Sequence, residues 1–286
     1  MAKKTVHDFY AMKEKKEKVV FLTAYDALIA GLEEEAGVDM ILVGDSVGNT
    51  LLGYESPLPV TMDEMLIFTR AVRRGAPSTF IIGDMPFMAY QSDVPTAVSN
   101  AGRFIKEAGA DAIKLEGGRK VSGQVRSIVD AGMLVMGHIG LTPQSAGQFG
   151  GWRAQGRTSA TALGILADAL ALEEAGCFSI LVEGVPGEVT RVIAQACSIP
   201  IYGIGAGMHC DGQLLIIYDM LGLFEVFQPR FVKRYGQLAR DIADMVRAYA
   251  KEVRDSDFPT RSHDYGIPPE ELKAFLTSAR EKGLLE

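Results

Sequence analysis

The stretch DMILVGDS, residues 39–46, shows the pattern that decides the fold. Four apolar residues run from Met40 to Val43, and a glycine then leads to Asp45 and Ser46. A short apolar run closed by a turn residue is typical of a buried β-strand. Similar runs recur along the chain, most of them ahead of a longer stretch with helical spacing. This alternation indicates βα units around a parallel sheet.

Eight such runs predict eight strands, the number that a closed (β/α)8 barrel, or TIM barrel, requires. The predicted strands are residues 19–24, 40–44, 79–83, 112–115, 134–137, 179–182, 199–203 and 224–227. The predicted helices are residues 27–36, 62–74, 95–108, 121–131, 159–175, 187–196, 213–221 and 229–253. The chain has 286 residues, and barrels of this kind commonly reach about 250 residues. We therefore expect an α/β protein with a single barrel domain over residues 1–286, an N-terminal segment at 1–18 and an appended C-terminal helix or tail at 254–286.

One predicted connection is long and has no period. Residues 141–158, LTPQSAGQFGGWRAQGRT, contain four glycines. They predict a functional lid, with a disordered or packed surface loop as the alternative and Trp152 as an anchoring apolar contact. Residues 203–207, GIGAG, resemble a phosphate-binding turn but lack GxGxxG spacing, so they indicate close approach of a ligand or a tight turn.

The composition predicts a soluble globular protein, because 48% of the residues are hydrophobic, 23% are charged and no low-complexity tract occurs. The net charge of -7 disfavours nucleic acid as a partner. Residues 1–18 are too charged for a signal peptide, and no apolar run reaches the roughly 18 residues of a membrane span. Cys177, Cys197 and Cys210 form no CxxC pair, which fits buried thiols in a reducing compartment. We expect a cytoplasmic protein with no membrane partner.

Polar residues end nearly every predicted strand. In a parallel barrel the carboxyl ends of the strands meet at one rim, where active sites lie. Ordinary barrel strands can end in almost any loop-forming residue, so these residues predict a functional site: Asp26, Asp45, Ser46, Asp84, Lys114, Glu116, His138 and Glu183.

Asp45 and Asp84 follow different strands at equivalent positions, so both carboxylates can face one point of the rim. This arrangement favours Mg²⁺, which binds hard oxygen ligands and usually takes one or two protein carboxylates plus waters. Such a site leaves positions open for a chelating substrate. The alternative is that each aspartate caps the helix that follows it.

Lys114 and Glu116 are two residues apart, so they share one face of a strand, and Ile113 and Leu115 share the other. We expect the apolar pair to face the helices and the charged pair to lie inside the barrel mouth. A lysine beside a metal there could bind a substrate carboxylate, and a structural ion pair is the alternative.

His138 is compatible with a base, a metal ligand or a hydrogen-bonded structural histidine, and we expect a structural or orienting role. Glu183 ends a strongly apolar strand and suits a general base. An inter-loop salt bridge is the alternative for Glu183.

Segments from about residue 19 to residue 235 resemble the ketopantoate hydroxymethyltransferase family in order and spacing. They are TAYD (23–26), DMILVGDS (39–46), LPVTMDEM (58–65), RRGAP (73–77), DMPFM (84–88), KLEGG (114–118), VMGHIGLTPQS (135–145), QGRT (155–158), IGAG (204–207), CDGQ (210–213) and FVKRY (231–235). The tail after about residue 253 matches only loosely. One departure is local: the family often has LECVP where this chain has VEGVP, so Gly184 stands in place of a cysteine.

The resemblance implies a barrel similar to phosphoenolpyruvate mutase and isocitrate lyase. It implies that 5,10-methylenetetrahydrofolate donates a hydroxymethyl group to 3-methyl-2-oxobutanoate through a magnesium-stabilised enolate, giving 2-dehydropantoate in pantothenate biosynthesis. One Mg²⁺ per subunit would be bound by Asp45 and Asp84, with Glu116 joining directly or through water. Ser46 and Lys114 would hold the carboxylate of the oxo acid, His138 would support it, and Glu183 would accept the proton. The family also implies a homo-oligomer, often a decamer.

Two other functions compete with this interpretation. The first is a related metal-dependent carbon–carbon lyase acting on a 2-oxo acid. Such lyases usually use a cysteine in a glycine-rich loop after the fourth or fifth strand, where this chain has none. The second is a non-catalytic sensing barrel, which would have lost metal ligands or the base, and none is missing.

Overall fold

The computed structural model describes residues 3–285, apart from the Phe149 side chain, and divides after Gly236 into two compact units. In the first unit, eight parallel strands close into a barrel in sequence order. They are β1 (Val19–Thr23), β2 (Met40–Val43), β3 (Phe80–Asp84), β4 (Ala112–Glu116), β5 (Leu134–Gly140), β6 (Ser179–Glu183), β7 (Ile201–Ile204) and β8 (Gly212–Leu215). The predicted α/β class and closed (β/α)8 barrel are confirmed.

Helices alternate with the strands through most of the barrel. In the first unit they are α1 (Val6–Lys15), α2 (Ala27–Glu35), α3 (Val47–Thr50), α4 (Met62–Gly75), α5 (Val94–Ala108), α6 (Ser122–Asp130), α7 (Ser159–Glu174), α8 (Gly187–Ala196) and α9 (Ile217–Met220). Six of them, α2 and α4 to α8, lie where the sequence predicts helices, and α9 lies within the later part of the helix predicted at 213–221.

Two apolar layers form because side chains alternate across each strand. The outer layer lies between the strands and the helices and includes Ile41, Ile81, Ile113 and Ile180. The inner layer fills the barrel with side chains from every strand and from α1: Phe9, Val19, Phe21, Met40, Leu42, Phe80, Ile82, Ala112, Met136, Phe178, Leu181, Tyr202, Ile204 and Leu214.

The strand predicted at the end of the barrel is wrong, and the helix predicted before it is wrong at its start. β8 is Gly212–Leu215 rather than residues 224–227, and it occupies the start of the helix predicted at 213–221. Residues 205–211 join β7 to β8, and no helix is assigned in that described connection. A Cβ on Gly212 would lie 2.5 Å from the Val19 carbonyl oxygen, so glycine lets β8 pair closely with β1.

The predicted N-terminal segment, residues 1–18, contains α1, and its residues 1–2 lie outside the described residues. The Phe9 ring is fully buried and lies 5.1 Å from the Phe80 ring in an edge-to-face contact. Lys4 pairs with Asp39 at 2.9 Å and Lys13 pairs with Asp211 at 2.8 Å. Asp39 and Asp211 directly precede β2 and β8, so the segment closes the N-terminal end of the barrel.

The second unit contains α10 (Leu238–Asp255) and α11 (Pro269–Glu281). The helix predicted at 229–253 is wrong at its start, because residues 229–237 are irregular. The division after Gly236 lies ahead of the predicted tail boundary at 254, and that boundary stays a prediction. Residue 286 of the tail lies outside the described residues.

Over the range 3–285, no helix has both the length and the apolar character needed to cross a bilayer.

The three cysteines are free and buried, as expected. Cys177, Cys197 and Cys210 belong to the outer apolar layer. Burial raises the pKa of the Cys177 and Cys197 thiols to about 12 and that of the Cys210 thiol to about 11. All three are therefore protonated packing residues at neutral pH.

Candidate active site

The charged residues of β4 point into the barrel, as predicted. Ile113 and Leu115 lie in the outer apolar layer, whereas Ala112 lies in the inner one. Since residues two apart share a face, Lys114 and Glu116 continue the inner side toward the carboxyl end of the strand. Both are buried.

Strand pairing brings the other strand-end residues to the same level. Asp84 is in register with Lys114, and Glu116 is in register with His138. Glu183 is in register with Gly140, two residues beyond His138 on β5. The polar residues therefore lie above the apolar filling, at the end where (β/α)8 enzymes place their active sites.

Five of these side chains form a continuous chain of contacts. Lys114 Nζ lies 2.8 Å from Asp84 Oδ1 and 3.3 Å from His138 Nδ1. His138 Nδ1 lies 3.4 Å from Glu116 Oε1, and its Nε2 lies 3.2 Å from Glu183 Oε2. The His138 ring thus bridges two carboxylates, an arrangement that suits an orienting histidine.

Asp45 joins this chain through its backbone, because its N–H donates to Asp84 Oδ2 at 3.0 Å. Ser46 lies to one side of the chain. Its Oγ is 2.8 Å from Tyr25 Oη, and no other hydrogen bond of this oxygen is found in the described part of the protein. The structure therefore brings six of the eight residues predicted for the site into one network and leaves the Ser46 hydroxyl and Asp26 outside it.

The buried charges shift the pKa values within the cluster. Burial raises the pKa of Asp45 and raises that of Asp84 to about 7. Burial alone would lower the pKa of Lys114, but Asp84, Glu116 and Asp45 raise it above its ordinary value. Burial and Lys114 lower the pKa of His138, and the nearby carboxylates of Glu116 and Glu183 outweigh them and raise it to about 9.

Neither Asp45 nor Asp84 caps a helix with its side chain. Asp45 Oδ2 instead accepts a hydrogen bond from Gln144 Nε2 at 2.9 Å, and Asp84 contacts Lys114. Asp26 does cap a helix, since its Oδ1 accepts from the N–H groups of Leu28 and Ile29 at 2.8 and 2.9 Å. The capping alternative therefore applies to Asp26 and to neither of the predicted metal ligands.

The donor set suits a hard dication. Asp45, Asp84, Glu116 and Glu183 supply four carboxylates against the two cationic side chains Lys114 and His138. Asp84 Oδ1 and Glu116 Oε1 are buried without a hydrogen bond in the described residues, although charged neighbours face them. No cluster of three or more His, Cys, Asp or Glu side chains that could bind a metal occurs in residues 3–285. Magnesium fits two carboxylates because it usually completes its shell with waters and substrate oxygens.

Gln144 is a site residue that the sequence did not predict. It is buried, and its backbone N–H donates to Glu116 Oε2 at 2.9 Å. Its Nε2 donates to Asp45 Oδ2 and to the Met85 carbonyl, both at 2.9 Å, and its Oε1 accepts from Tyr90 at 2.9 Å. Gln144 therefore positions the carboxylates of both Asp45 and Glu116. The only sequence signal was its place in the LTPQS segment.

The long loop predicted as a lid is attached to the end of β6, at Glu183 and Gly184, by hydrogen bonds from both of its ends. The Leu141 N–H donates to the Glu183 carbonyl and the Gln155 N–H donates to the Gly184 carbonyl, each at 2.8 Å. Trp152 is 54% exposed, so it is not an anchoring apolar contact. Between these ends the chain forms a 3₁₀ helix, Pro143–Phe149, that carries Gln144 into the site.

The glycine-rich segment 203–207 serves close packing within the barrel. A Cβ on Gly205 would lie 2.5 Å from the Phe231 ring, and a Cβ on Gly207 would lie 2.6 Å from the Gly187 Cα. Both glycines also have positive φ angles, of 61° and 82°. The tight-turn interpretation therefore accounts for this segment.

Comparison with known proteins identifies the family. The family model described as ketopantoate hydroxymethyltransferase matches residues 3–261. The chain belongs to the ketopantoate hydroxymethyltransferase family. A relative from Alkaliphilus metalliredigens, named 3-methyl-2-oxobutanoate hydroxymethyltransferase, is 52% identical over 93% of this chain and 94% of its own length. A relative of the same name from Moorella thermoacetica is 52% identical over 91% of this chain and 97% of its own length.

Solved structures place the ketopantoate hydroxymethyltransferase fold of this chain among related barrels. Phosphonopyruvate hydrolase in complex with oxalate and Mg²⁺ has a TM-score of 0.60 at 15% identity, covering 99% of this chain and 98% of its own. The 2,3-dimethylmalate lyase of the phosphoenolpyruvate mutase/isocitrate lyase superfamily has a TM-score of 0.60 at 16% identity, covering 98% of this chain and 93% of its own. The predicted likeness to that superfamily is confirmed at the level of fold.

Proposed function

We propose that this protein transfers a hydroxymethyl group from 5,10-methylenetetrahydrofolate to 3-methyl-2-oxobutanoate, giving 2-dehydropantoate in the first step of pantothenate biosynthesis. The observation that carries the proposal is the meeting of four carboxylates, a buried lysine and a histidine at one end of the barrel. It occurs in a chain about half identical to relatives named 3-methyl-2-oxobutanoate hydroxymethyltransferase.

We assign one Mg²⁺ to Asp45 and Asp84, with Glu116 contributing directly or through water. When bound, the ion supplies Lewis-acid polarisation of the substrate ketone, which acidifies the neighbouring C3–H bond by several kcal/mol. Gln144 holds Asp45 Oδ2 by a hydrogen bond of 2.9 Å, so this carboxylate is fixed before any ligand arrives. Fixed ligands lower the cost of ordering the site on binding.

Lys114 and Ser46 hold the carboxylate of the oxo acid in this proposal. The neighbouring carboxylates keep Lys114 protonated, so a charged donor faces the substrate anion. The Ser46 hydroxyl contacts only Tyr25 among the described residues, which leaves it capacity for one more hydrogen bond. Together these two groups would set the orientation of C3 toward the base.

Glu183 is the proton acceptor in this proposal. Its side chain is 13% exposed, whereas those of Asp84 and Glu116 are 1% and 2% exposed, so it is the more accessible carboxylate. His138 Nε2 lies 3.2 Å from Oε2, and no hydrogen bond to Oε1 is found in the described residues. His138 therefore orients the carboxylate, and Oε1 is free to accept the C3 proton. A positioned base of this kind contributes about 10²- to 10⁴-fold to a rate.

The carbon that loses its proton forms the new C–C bond with the methylene carbon of the folate. Both C–N bonds of that methylene carbon break, water supplies the hydroxyl group, and tetrahydrofolate leaves with the C3 proton and one proton of the water on its two nitrogens. Glu183 must hold the proton away from C3 until this attack occurs. The loop at residues 141–158 would help, because it is attached to the Glu183 and Gly184 carbonyls and could exclude water when closed.

Exchange of the C3 hydrogen tests the base directly. With Mg²⁺ and 3-methyl-2-oxobutanoate in D2O, we expect the protein to replace the C3 hydrogen by deuterium without folate, as seen by proton NMR. Glu183→Gln should slow this exchange by about 10²-fold or more and leave binding of the oxo acid nearly unchanged, because the amide keeps the shape and loses the basicity.

Glu188→Gln is the matched control, since Glu188 is an exposed carboxylate on α8 that pairs with Arg191. It should exchange at the rate of the unaltered protein. The role of Glu183 is contradicted if Glu183→Gln exchanges as fast as the control. The whole assignment is contradicted if the unaltered protein neither exchanges the hydrogen nor forms product with the folate.

The lyase alternative has no support from this site. The reactive cysteine of such lyases has no counterpart here, because Cys177, Cys197 and Cys210 are buried in the outer apolar layer, behind the strands. We further propose a cytoplasmic location and a homo-oligomer, with a decamer suggested by the family resemblance. Sedimentation velocity would measure that assembly.

A further inference from the structure

Tyr25 is a buried polar residue to which the proposed function gives no part. It follows β1 in the TAYD segment, and only 1% of its surface is exposed. Its ring packs against the Tyr218 ring with centroids 5.5 Å apart. Burial raises the pKa of Tyr25 to about 12, so its hydroxyl keeps its hydrogen at neutral pH.

The Tyr25 hydroxyl stands in the middle of a hydrogen-bond chain that ends at Ser46. The Ile217 backbone N–H donates to Thr23 Oγ1 at 3.1 Å. Thr23 Oγ1 donates to Tyr25 Oη at 3.0 Å, and Tyr25 Oη lies 2.8 Å from Ser46 Oγ. Three hydroxyls and one backbone amide, drawn from four different positions of the chain, are thus connected in series.

The Thr23 hydroxyl gives this chain a direction. Thr23 Oγ1 accepts from the Ile217 N–H and donates its own hydrogen to Tyr25 Oη. Since Tyr25 Oη accepts that hydrogen, its own hydrogen points away from Thr23, and Ser46 Oγ lies 2.8 Å away in position to accept it. The Ser46 hydrogen has no acceptor among the described residues, so it remains available to a ligand.

We infer that Tyr25 is a positioning residue, which directs the Ser46 hydroxyl to donate to the carboxylate of the oxo acid. The inference rests on the proposed function, in which Ser46 and Lys114 hold that carboxylate. Without Tyr25, the Ser46 hydrogen has no fixed direction and its oxygen has no donor. The hydroxyl must then be ordered when the substrate binds, which weakens binding.

A double-mutant cycle tests the inference through the dissociation constant of 3-methyl-2-oxobutanoate, measured by calorimetry with Mg²⁺ present. Ser46→Ala should weaken binding by about 10-fold or more, because a hydrogen bond to a charged group is lost. Tyr25→Phe should weaken it by about 3- to 10-fold, as expected for one neutral hydrogen bond. In the Ser46→Ala background, Tyr25→Phe should change it by less than about twofold, since the group that it directs is already gone.

Tyr218→Phe is the matched control. It removes a hydroxyl from the neighbouring ring. That hydroxyl lies 3.5 Å from Asp26 Oδ2, and no hydrogen bond joins it to Ser46 in the part of the chain that the structure describes. It should leave the dissociation constant unchanged. The inference would be overturned if Tyr25→Phe weakened binding of the oxo acid equally in the unaltered protein and in the Ser46→Ala background, or if it did not weaken binding at all.

Should Tyr25→Phe fail to fold, Thr23→Val is the second variant. It removes the hydroxyl that donates to Tyr25 Oη, so Ser46 can then donate its hydrogen to Tyr25. Binding should weaken in the same direction, and Thr23→Ser should restore most of it by keeping the hydroxyl. An unchanged dissociation constant in Thr23→Val would overturn the inference. Binding of the oxo acid is measured separately from turnover. A protein that binds the oxo acid without exchanging its C3 hydrogen would contradict the proposed function, but the dissociation constants would still show whether Tyr25 positions Ser46.

Discussion

At the scale of single residues, Glu33 is a buried carboxyl group outside the site whose two oxygens both lack a hydrogen bond in the described part of the chain. It lies in α2 and is only 4% exposed. Burial, with the charge of Asp26 adding to it, raises the pKa of Glu33 from 4.5 to about 9. The folded protein therefore keeps this carboxyl protonated at neutral pH, whereas the unfolded chain ionises it.

This difference predicts a stability that falls as pH rises between 4.5 and about 9, because unfolding releases the Glu33 proton in that window. Glu33→Gln removes the ionisation. We expect its free energy of unfolding, relative to the unaltered protein, to increase from pH 5 to pH 8, by at most about 1.4 kcal/mol per pH unit. Urea denaturation at several pH values measures this difference.

Glu35→Gln is the control for this experiment, because Glu35 is an exposed carboxylate on the same helix. It should show no such dependence on pH. A free-energy difference between Glu33→Gln and the unaltered protein that stays flat from pH 5 to pH 8 would show that Glu33 is ionised in the folded state.

The residue scale also shows what the sequence could reveal about the site. Asp84, Lys114, His138 and Glu183 could be predicted because they end strands, and the period of a strand decides which way its side chains point. Gln144 could not be predicted, since it lies on an aperiodic loop and enters the site only through the path of that loop. Its contacts with Asp45 and Glu116 join residues 99 and 28 positions apart in sequence.

At the scale of elements, the regular βα units were predictable and the exceptions were not. Residues 213–221 contain the apolar run LLII, which fits a strand or a helix equally well by periodicity alone. The start of the run forms a strand because β8 pairs with β1, which is far away in sequence, and Gly212 allows the two strands to approach closely. The helix α1 was not predicted because the charged residues of segment 1–18 mask a short apolar pattern, in which Val6, Phe9 and Tyr10 have helical spacing.

The contribution of α1 can be measured with Phe9→Ala. Phe9 is fully buried against Phe80, so its removal should lower the free energy of unfolding by about 3–5 kcal/mol. The KM for the oxo acid should not change, because Phe9 lies at the N-terminal end of the barrel and the site lies at the other. Thermal and urea denaturation, with initial rates at 25 °C, give both quantities.

Glu14→Ala on the exposed side of α1 is the control, and it should alter neither quantity by much. If Phe9→Ala is as stable as this control, α1 does not contribute to the packing of the barrel. If it raises the KM instead, the two ends of the barrel are coupled.

At the scale of the whole molecule, stability and chemistry occupy opposite ends of the barrel unit. Apolar side chains and α1 fill the N-terminal end, where substitutions should act on folding. Carboxylates, Lys114 and His138 meet at the carboxyl end, where the loops can vary with less effect on folding. The metal, the oxo acid and the base are supported by this geometry. The folate donor is supported by the family alone, so it needs the most direct test.

That test follows the one-carbon unit itself. The protein is incubated with Mg²⁺, 3-methyl-2-oxobutanoate and 5,10-methylenetetrahydrofolate carrying ¹³C in its methylene group, and the products are followed by ¹³C NMR. We predict that the label appears in the hydroxymethyl group of 2-dehydropantoate, and that Glu183→Gln abolishes its appearance. Absence of labelled product from the unaltered protein, or cleavage of the oxo acid skeleton in its place, would contradict the account.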